Sequence, residues 1–166
     1  MAARLSLASY IRSAKGPWVA LLVVKKGQRP EKLIPCPDGF SMNVLRGVKC
    51  RTASGLFAEF AGVLDFPDYF GHNWDALEEC LMDLEWRPAK GYVLLVMDAE
   101  QVLVRDEEEY ATFLEVLCDA GEAWSSRQTG KESKRATPFH VLLVVSAQAK
   151  KQRAHWAVPE MFLERS

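Results

Sequence analysis

Residues 65–85 read DFPDYFGHNWDALEECLMDLE. Trp74, Leu77, Leu81 and Leu84 recur at helical spacing, so a helix is expected over 73–84 with these side chains on its inner side. The opposite side carries Asp75, Glu79 and Asp83 at i, i+4 and i+8, with Glu78 beside them. Carboxylates four residues apart repel, at about 0.2–0.5 kcal/mol per pair. Asp75 gains a little from the positive end of the helix; Glu79 and Asp83 do not. Seven acids and no Lys or Arg lie between Asp65 and Glu85. A helix shaped only for solubility interleaves the two signs, so this row of acids reads as a face for a cationic partner.

The same arrangement recurs further along. A helix is expected over 106–124, opened by a D-x-x-E capping box (Asp106, Glu109), with Tyr110, Phe113, Leu114 and Leu117 on its inner side. Its outer side holds Glu115, Asp119 and Glu122. A third helical pattern covers 52–64, with Leu56, Phe57, Phe60 and Leu64 on one side. Around these helices lie strands at 18–24 (WVALLVV), 40–45, 92–97 (YVLLVM) and 139–146 (FHVLLVVS). Three of them are almost continuously apolar, which predicts strands buried on both faces, as in a parallel sheet covered by helices. Alternation of strand and helix makes the class α/β. Residues 25–39, with three prolines and two glycines, read as a long connection, and 125–137 as a basic flexible loop. The stretch 150–153 (KKQR) reads as a solvated end.

The chain has 166 residues, of which 49% are hydrophobic and 26% charged, enough for one folded domain over 1–166. Its net charge of −1 hides a separation of charge. Residues 1–58 carry ten Lys/Arg against two acids, 59–122 three against seventeen, and 123–166 eight against three. The longest apolar runs are far shorter than the ~20 residues of a membrane helix, and the N-terminus holds no signal-like stretch. A cytoplasmic protein without membrane contact is expected. The four cysteines (Cys36, Cys50, Cys80, Cys118) form no C-x-x-C pair and read as reduced, mostly buried thiols. The three histidines are scattered, and no metal or cofactor is expected.

An enzyme would need carboxylates in contrasting environments inside a cleft, whereas these stand in rows on an open helix face. G-x-S-x-G, P-loop, G-x-G-x-x-G and HExxH motifs are all missing. Cys80 falls on the buried side of its helix and is no candidate nucleophile. The basic ends lack the interleaved aromatics of a nucleic-acid module, so direct nucleic-acid binding is not expected. Of the aromatic pair before the helix, Phe70 is expected to point inward and Tyr69 outward. Trp74, in line with Leu77 and Leu81, is expected in the core.

The stretch 65–85 resembles the barstar family of intracellular inhibitors of barnase-type ribonucleases. Pro67, Asp68, Tyr69, Phe70, Gly71, Asn73, Trp74, Asp75, Ala76, Leu77, Glu79, Cys80 and Leu81 follow the family's marker in one ungapped run. Order and spacing of the flanking elements extend the resemblance to about 40–146, leaving 1–39 (an extra strand and its connection) and 147–166 outside. It implies a small, mostly parallel sheet packed with helices, no catalysis and no cofactor. The implied role is a bacterial immunity protein whose acidic helix takes the place of RNA phosphates in the active site of a basic ribonuclease. Carried over by position, Tyr69 is the aromatic contact, and Asp75 and Glu79 the main carboxylates. By a gapped alignment Asp119 is the acid from the last helix. Four positions depart from the pattern: Glu79 is longer than the family's Asp, Glu78 and Leu84 replace aromatics, and Asp83 replaces a glycine. Glu78 and Asp83 thereby join the expected partner-binding set. A monomer is assumed. The alternative is a barstar-like interaction domain for some other basic partner.

Overall fold

Strands that are apolar on both sides must be covered on both sides, and that requirement organises the chain. The computed structural model describes residues 6–126 and 136–163. In chain order its elements are α1 (Leu7–Arg12), β1 (Val19–Val24), α2 (Pro30–Leu33), β2 (Phe40–Arg46), α3 (Ala53–Val63), α4 (Trp74–Asp83), β3 (Gly91–Met97), α5 (Tyr110–Ser125), β4 (Phe139–Ser146), α6 (Ala147–Lys150) and β5 (Glu160–Phe162). The strands form one five-stranded sheet in the order β2-β3-β4-β1-β5, with every described pairing parallel. The four expected strands are all present, and the fold is α/β with a parallel sheet covered by helices, as expected.

Alternate residues of each strand feed two separate clusters, as the pleat requires. Leu21, Leu94, Val96, Val141 and Leu143 meet Leu56 and Phe60 of α3, Leu77 and Leu81 of α4, and Phe113 and Leu117 of α5 on one face. Ala20, Leu22, Val93, Leu95, Leu142 and Val144 meet Leu7, Tyr10 and Ile11 of α1, together with Ile34, on the other. The N-terminal segment therefore does two jobs. It places β1 against β4, and it lays α1 over the sheet face that the three long helices leave open.

Several expectations need correcting. The capping box does not form: a 3-10 turn spans Glu107–Glu109 and α5 starts only at Tyr110. Asp106 instead accepts the backbone N–H of Ala53 at 2.8 Å, helping to start α3 alongside Thr52, whose hydroxyl accepts from Gly55. A long-range donor has outbid the local one. The KKQR stretch is not a solvated end. Lys150 pairs with Glu160, Arg153 lies 4.1 Å over the Tyr110 ring and donates to the Val102 carbonyl, and Trp156 is buried. Residues 25–39 contain the short helix α2, and α1, α6 and β5 have no counterpart in the sequence reading. Strand β1 begins at Val19, one residue after the expected start. Cys50 and Cys80 are buried, but Cys36 is exposed. Of the expected basic loop, residues 127–135 lie outside the described residues.

The buried carboxylate Glu59 is fully paired. It accepts from the Arg46 backbone N–H (2.7 Å), Nε (3.0 Å) and Nη2 (2.9 Å), tying α3 to the end of β2. These bonds hold its carboxyl below the usual range against the opposing pull of burial.

Trp18 docks the N-terminal segment against α5 at Gly121, where an added Cβ would land within van der Waals contact of the Trp18 Cβ and Cγ. Those atoms are tied to the backbone and cannot swing away. Gly121→Ala should therefore destabilise the protein by roughly 1–3 kcal/mol, outweighing the gain in helix propensity. Urea unfolding would measure it; a stabilised variant would show that Trp18 is not fixed there.

Candidate functional site

The acidic helix is aimed by the chain that enters it. Asn73 caps α4, accepting the Ala76 N–H through Oδ1 at 2.8 Å, while its Nδ2 donates to the Gly71 carbonyl at 3.2 Å. This is why the G-x-N spacing matters: one side chain satisfies a free helix donor and closes the preceding turn. Just before it, Phe70 is buried between Phe66 (ring centroids 4.9 Å apart) and Phe57 (6.4 Å). With Phe70 held inside, its neighbour Tyr69 stands 75% exposed, as the sequence reading expects. Trp74 is half-buried, edge-on to Phe57 at 4.8 Å, with its Nε1–H donating to Glu109 at 3.4 Å. At the other end Leu84 takes a left-handed conformation (φ 47°) and is buried. Leu84 is thus a helix terminus and not a surface contact.

The polar side of α4 then faces outward as a unit. Asp75 and Glu79 are exposed, and Glu78 and Asp83 half-buried. Helix α5 packs alongside α4 and brings up Glu115, Asp119 and Glu122, all exposed. Asp75, Glu78, Glu79 and Asp83 line one open hollow. A smaller recess of about 80 Å³ lies between Tyr69, Phe70, Gly71, Glu79, Cys80 and Asp83. Glu79 and Asp83 border both, so the structure brings Tyr69 and all four α4 acids together. Met82, passed over in the sequence reading, also lines the open hollow. Its spacing from Glu78 (i+4) and Glu79 (i+3) is the signal in the sequence that places it there.

Asp119 approaches from α5 and shares a hydrogen bond with Glu78. That bond raises the Glu78 carboxyl above its ordinary value, with desolvation and the charges of Asp119, Asp75 and Glu115 acting in the same direction. The Tyr69 phenol is raised too, first by desolvation and then by Cys80, Asp83, Glu79 and Glu85. The described ion pairs are Arg46–Glu59, Arg87–Asp65 and Lys150–Glu160. Among the described residues, then, no lysine or arginine pairs with Asp75, Glu78, Glu79, Asp83 or Asp119. Neither α4 nor α5 carries a basic residue in its last turn.

Nothing in this face suggests a metal or cofactor, and among the described residues no His/Cys/Asp/Glu group could hold a metal ion. No helix of the described residues is long and apolar enough to cross a membrane. A roomier hollow, lined by Lys150, Lys151, Arg153 and Trp156, shares no residue with the acidic face.

The family model described as Barstar (barnase inhibitor) matches residues 40–144. The chain belongs to the barstar family. The match starts at the first residue of β2 and ends two residues before the end of β4, so α1 and β1 precede it and α6 and β5 follow. Among curated proteins, none matches the chain. The family is one of barnase inhibitors.

A proton is bound more tightly by Glu78 in the folded barstar-like chain than in the unfolded one. The sign follows: ionised Glu78 subtracts from stability above the ordinary carboxylate range, and stability is regained as pH falls. Glu78→Gln should therefore stabilise the free protein at pH 7 and low salt by about 0.2–0.5 kcal/mol. Chemical denaturation would read this, and a loss of stability would reveal an attractive contact at Glu78 instead.

Proposed function

We propose that this barstar-like chain binds and blocks the active site of a basic ribonuclease, acting as an immunity protein inside the cell that makes the enzyme. The supporting observation is that Asp75, Glu78, Glu79, Asp83 and Asp119 cluster on one face with no lysine or arginine partner among the described residues. Ribonucleases collect Arg, Lys and His to hold a polyanion. A surface that spaces carboxylates over two adjacent helices offers those groups what RNA phosphates offer them.

In this reading Tyr69 is the exposed aromatic contact, Asp75 and Glu79 are the central carboxylates, and Glu78, Asp83 and Asp119 extend the charge around them. The chain contributes no chemistry. It excludes substrate by occupying the groove and pairing its cations. Attraction acts first at a distance, raising the association rate, and pairing then slows dissociation. Replacement of an aromatic by Glu78 and of a glycine by Asp83 makes the face more negative, which suits a target with cations facing those positions.

Titration calorimetry with the captured ribonuclease provides the test. Asp75→Ala and Glu79→Ala should each weaken binding by at least roughly 2 kcal/mol, as expected for desolvated central residues. Glu122→Ala, at the rim, should cost under about 1 kcal/mol. Equal losses at all three positions, or capture of a basic protein without nuclease activity, would overturn the assignment. The association rate should also fall as salt rises from about 0.05 to 0.5 M, because screening shortens the reach of the field. Stopped-flow mixing would show it, and a salt-independent rate would count against steering.

A further inference from the structure

His140 is 0% exposed on the sheet face opposite α4 and α5, and the acidic face makes no use of it. Its Nε2 lies 2.6 Å from the Ser13 carbonyl, which can only accept, so in the neutral ring Nε2 carries the hydrogen. Nδ1 is then a buried acceptor with no hydrogen-bond partner. The Tyr10 ring of α1 lies over the imidazole at 4.2 Å, and the Tyr10 hydroxyl donates to the Pro17 carbonyl at 2.7 Å. Residues 7–18 thus form a strap with three fastenings: Leu7 and Ile11 in the apolar face, Ser13 on His140, and Trp18 against Gly121.

We propose that His140 is an acid-sensitive latch, holding the strap of residues 7–18 on the sheet while the ring is neutral and releasing it when the ring takes a second proton. A positive charge here would be shut away from solvent, with no opposite charge beside it. From the strap the facing groups are the Tyr10 phenol and the Ser13 and Pro17 carbonyls. Across the sheet, β3 presents Val93 as the paired residue, and from α5 the Cys118 thiol acts on Tyr10. The two carbonyls favour a charged ring, but burial outweighs them and lowers its proton affinity, with no carboxylate contributing. By linkage the fastening is at full strength above the pH where an unfolded histidine titrates, about 6.5, and weakens as pH falls below it.

Hydrogen exchange of the full chain at pH 7.5 and 5.5, corrected for intrinsic rates, tests the latch. Protection of residues 7–18, relative to β3 in the same sample, should drop severalfold at the lower pH, up to a limit of about tenfold set by the one pH unit between 5.5 and the ordinary histidine value. His140→Gln retains a donor for the Ser13 carbonyl but cannot titrate, and should abolish that drop. An equal drop in the variant, or none in the wild type, overturns the proposal. Should the variant not fold, the imidazole resonances of the wild type decide: His140 must titrate below the ordinary histidine value of about 6.5, and a midpoint at or above it overturns the latch.

Discussion

Two rows of carboxylates that repel each other are held side by side by what lies beneath them. Leu77 and Leu81 of α4, and Phe113 and Leu117 of α5, are fully buried against the sheet. Burying a side chain of this size stabilises the fold by about 1.5–3 kcal/mol. Repulsion between neighbouring surface acids costs only about 0.2–0.5 kcal/mol per pair. The apolar side of each helix therefore dictates where its acidic side must stand, and the acids on α4 and α5 are forced together with no say in the matter. Asn73, Phe70 and the buried Leu84 then fix where α4 begins, how its entry loop turns and where it ends.

What could be read from the residues was what depends on short-range regularity. Continuous apolar runs marked β1, β3 and β4, a weaker run marked β2, and 3.6-residue spacing marked α3, α4 and α5. The same periodicity placed Asp75, Glu78, Glu79 and Asp83 on the outer side of α4, and adjacency to Phe70 sent Tyr69 outward. Helices of four to six residues and a three-residue strand carry too little pattern for this. Helix α1 shows only Leu7, Tyr10 and Ile11 as an inner side, and β5 is three residues whose pairing with β1 depends on a partner about 140 positions away. The capping box failed for a related reason. Its local signal was sound, but Asp106 found a better donor in Ala53, 53 residues distant. Arg153 was misread because its ring partners, Tyr110 and Trp156, are adjacent only once the chain is folded.

The segments outside the family match are part of the sheet and not appendages to it. The strands within the match, β2, β3 and β4, expose one edge at β4 and one face away from the long helices. Strand β1 takes the edge and α1 part of the face. A parallel sheet with continuous Val and Leu runs, such as FHVLLVVS in β4, needs that second cover, because its strands have no polar side to offer water. The buried His140 lies where this cover is fastened, which is why a titratable group there bears on the N-terminal segment and not on the acidic face.

The acids of this chain differ in whether its own cations meet them. Asp65 and Glu59, from the same acid-rich third of the chain, are each met by an arginine of this protein. Asp83 sits at the end of α4, where the helix already presents its negative pole and where a lysine would be stabilising. Among the described residues the chain pairs Glu59, Asp65 and Glu160 with its own cations and none of the acids on α4 and α5. Selection for stability alone would have interleaved the signs there as well. A surface that holds repelling carboxylates together without cations of its own is what a protein needs if those cations are to come from a partner.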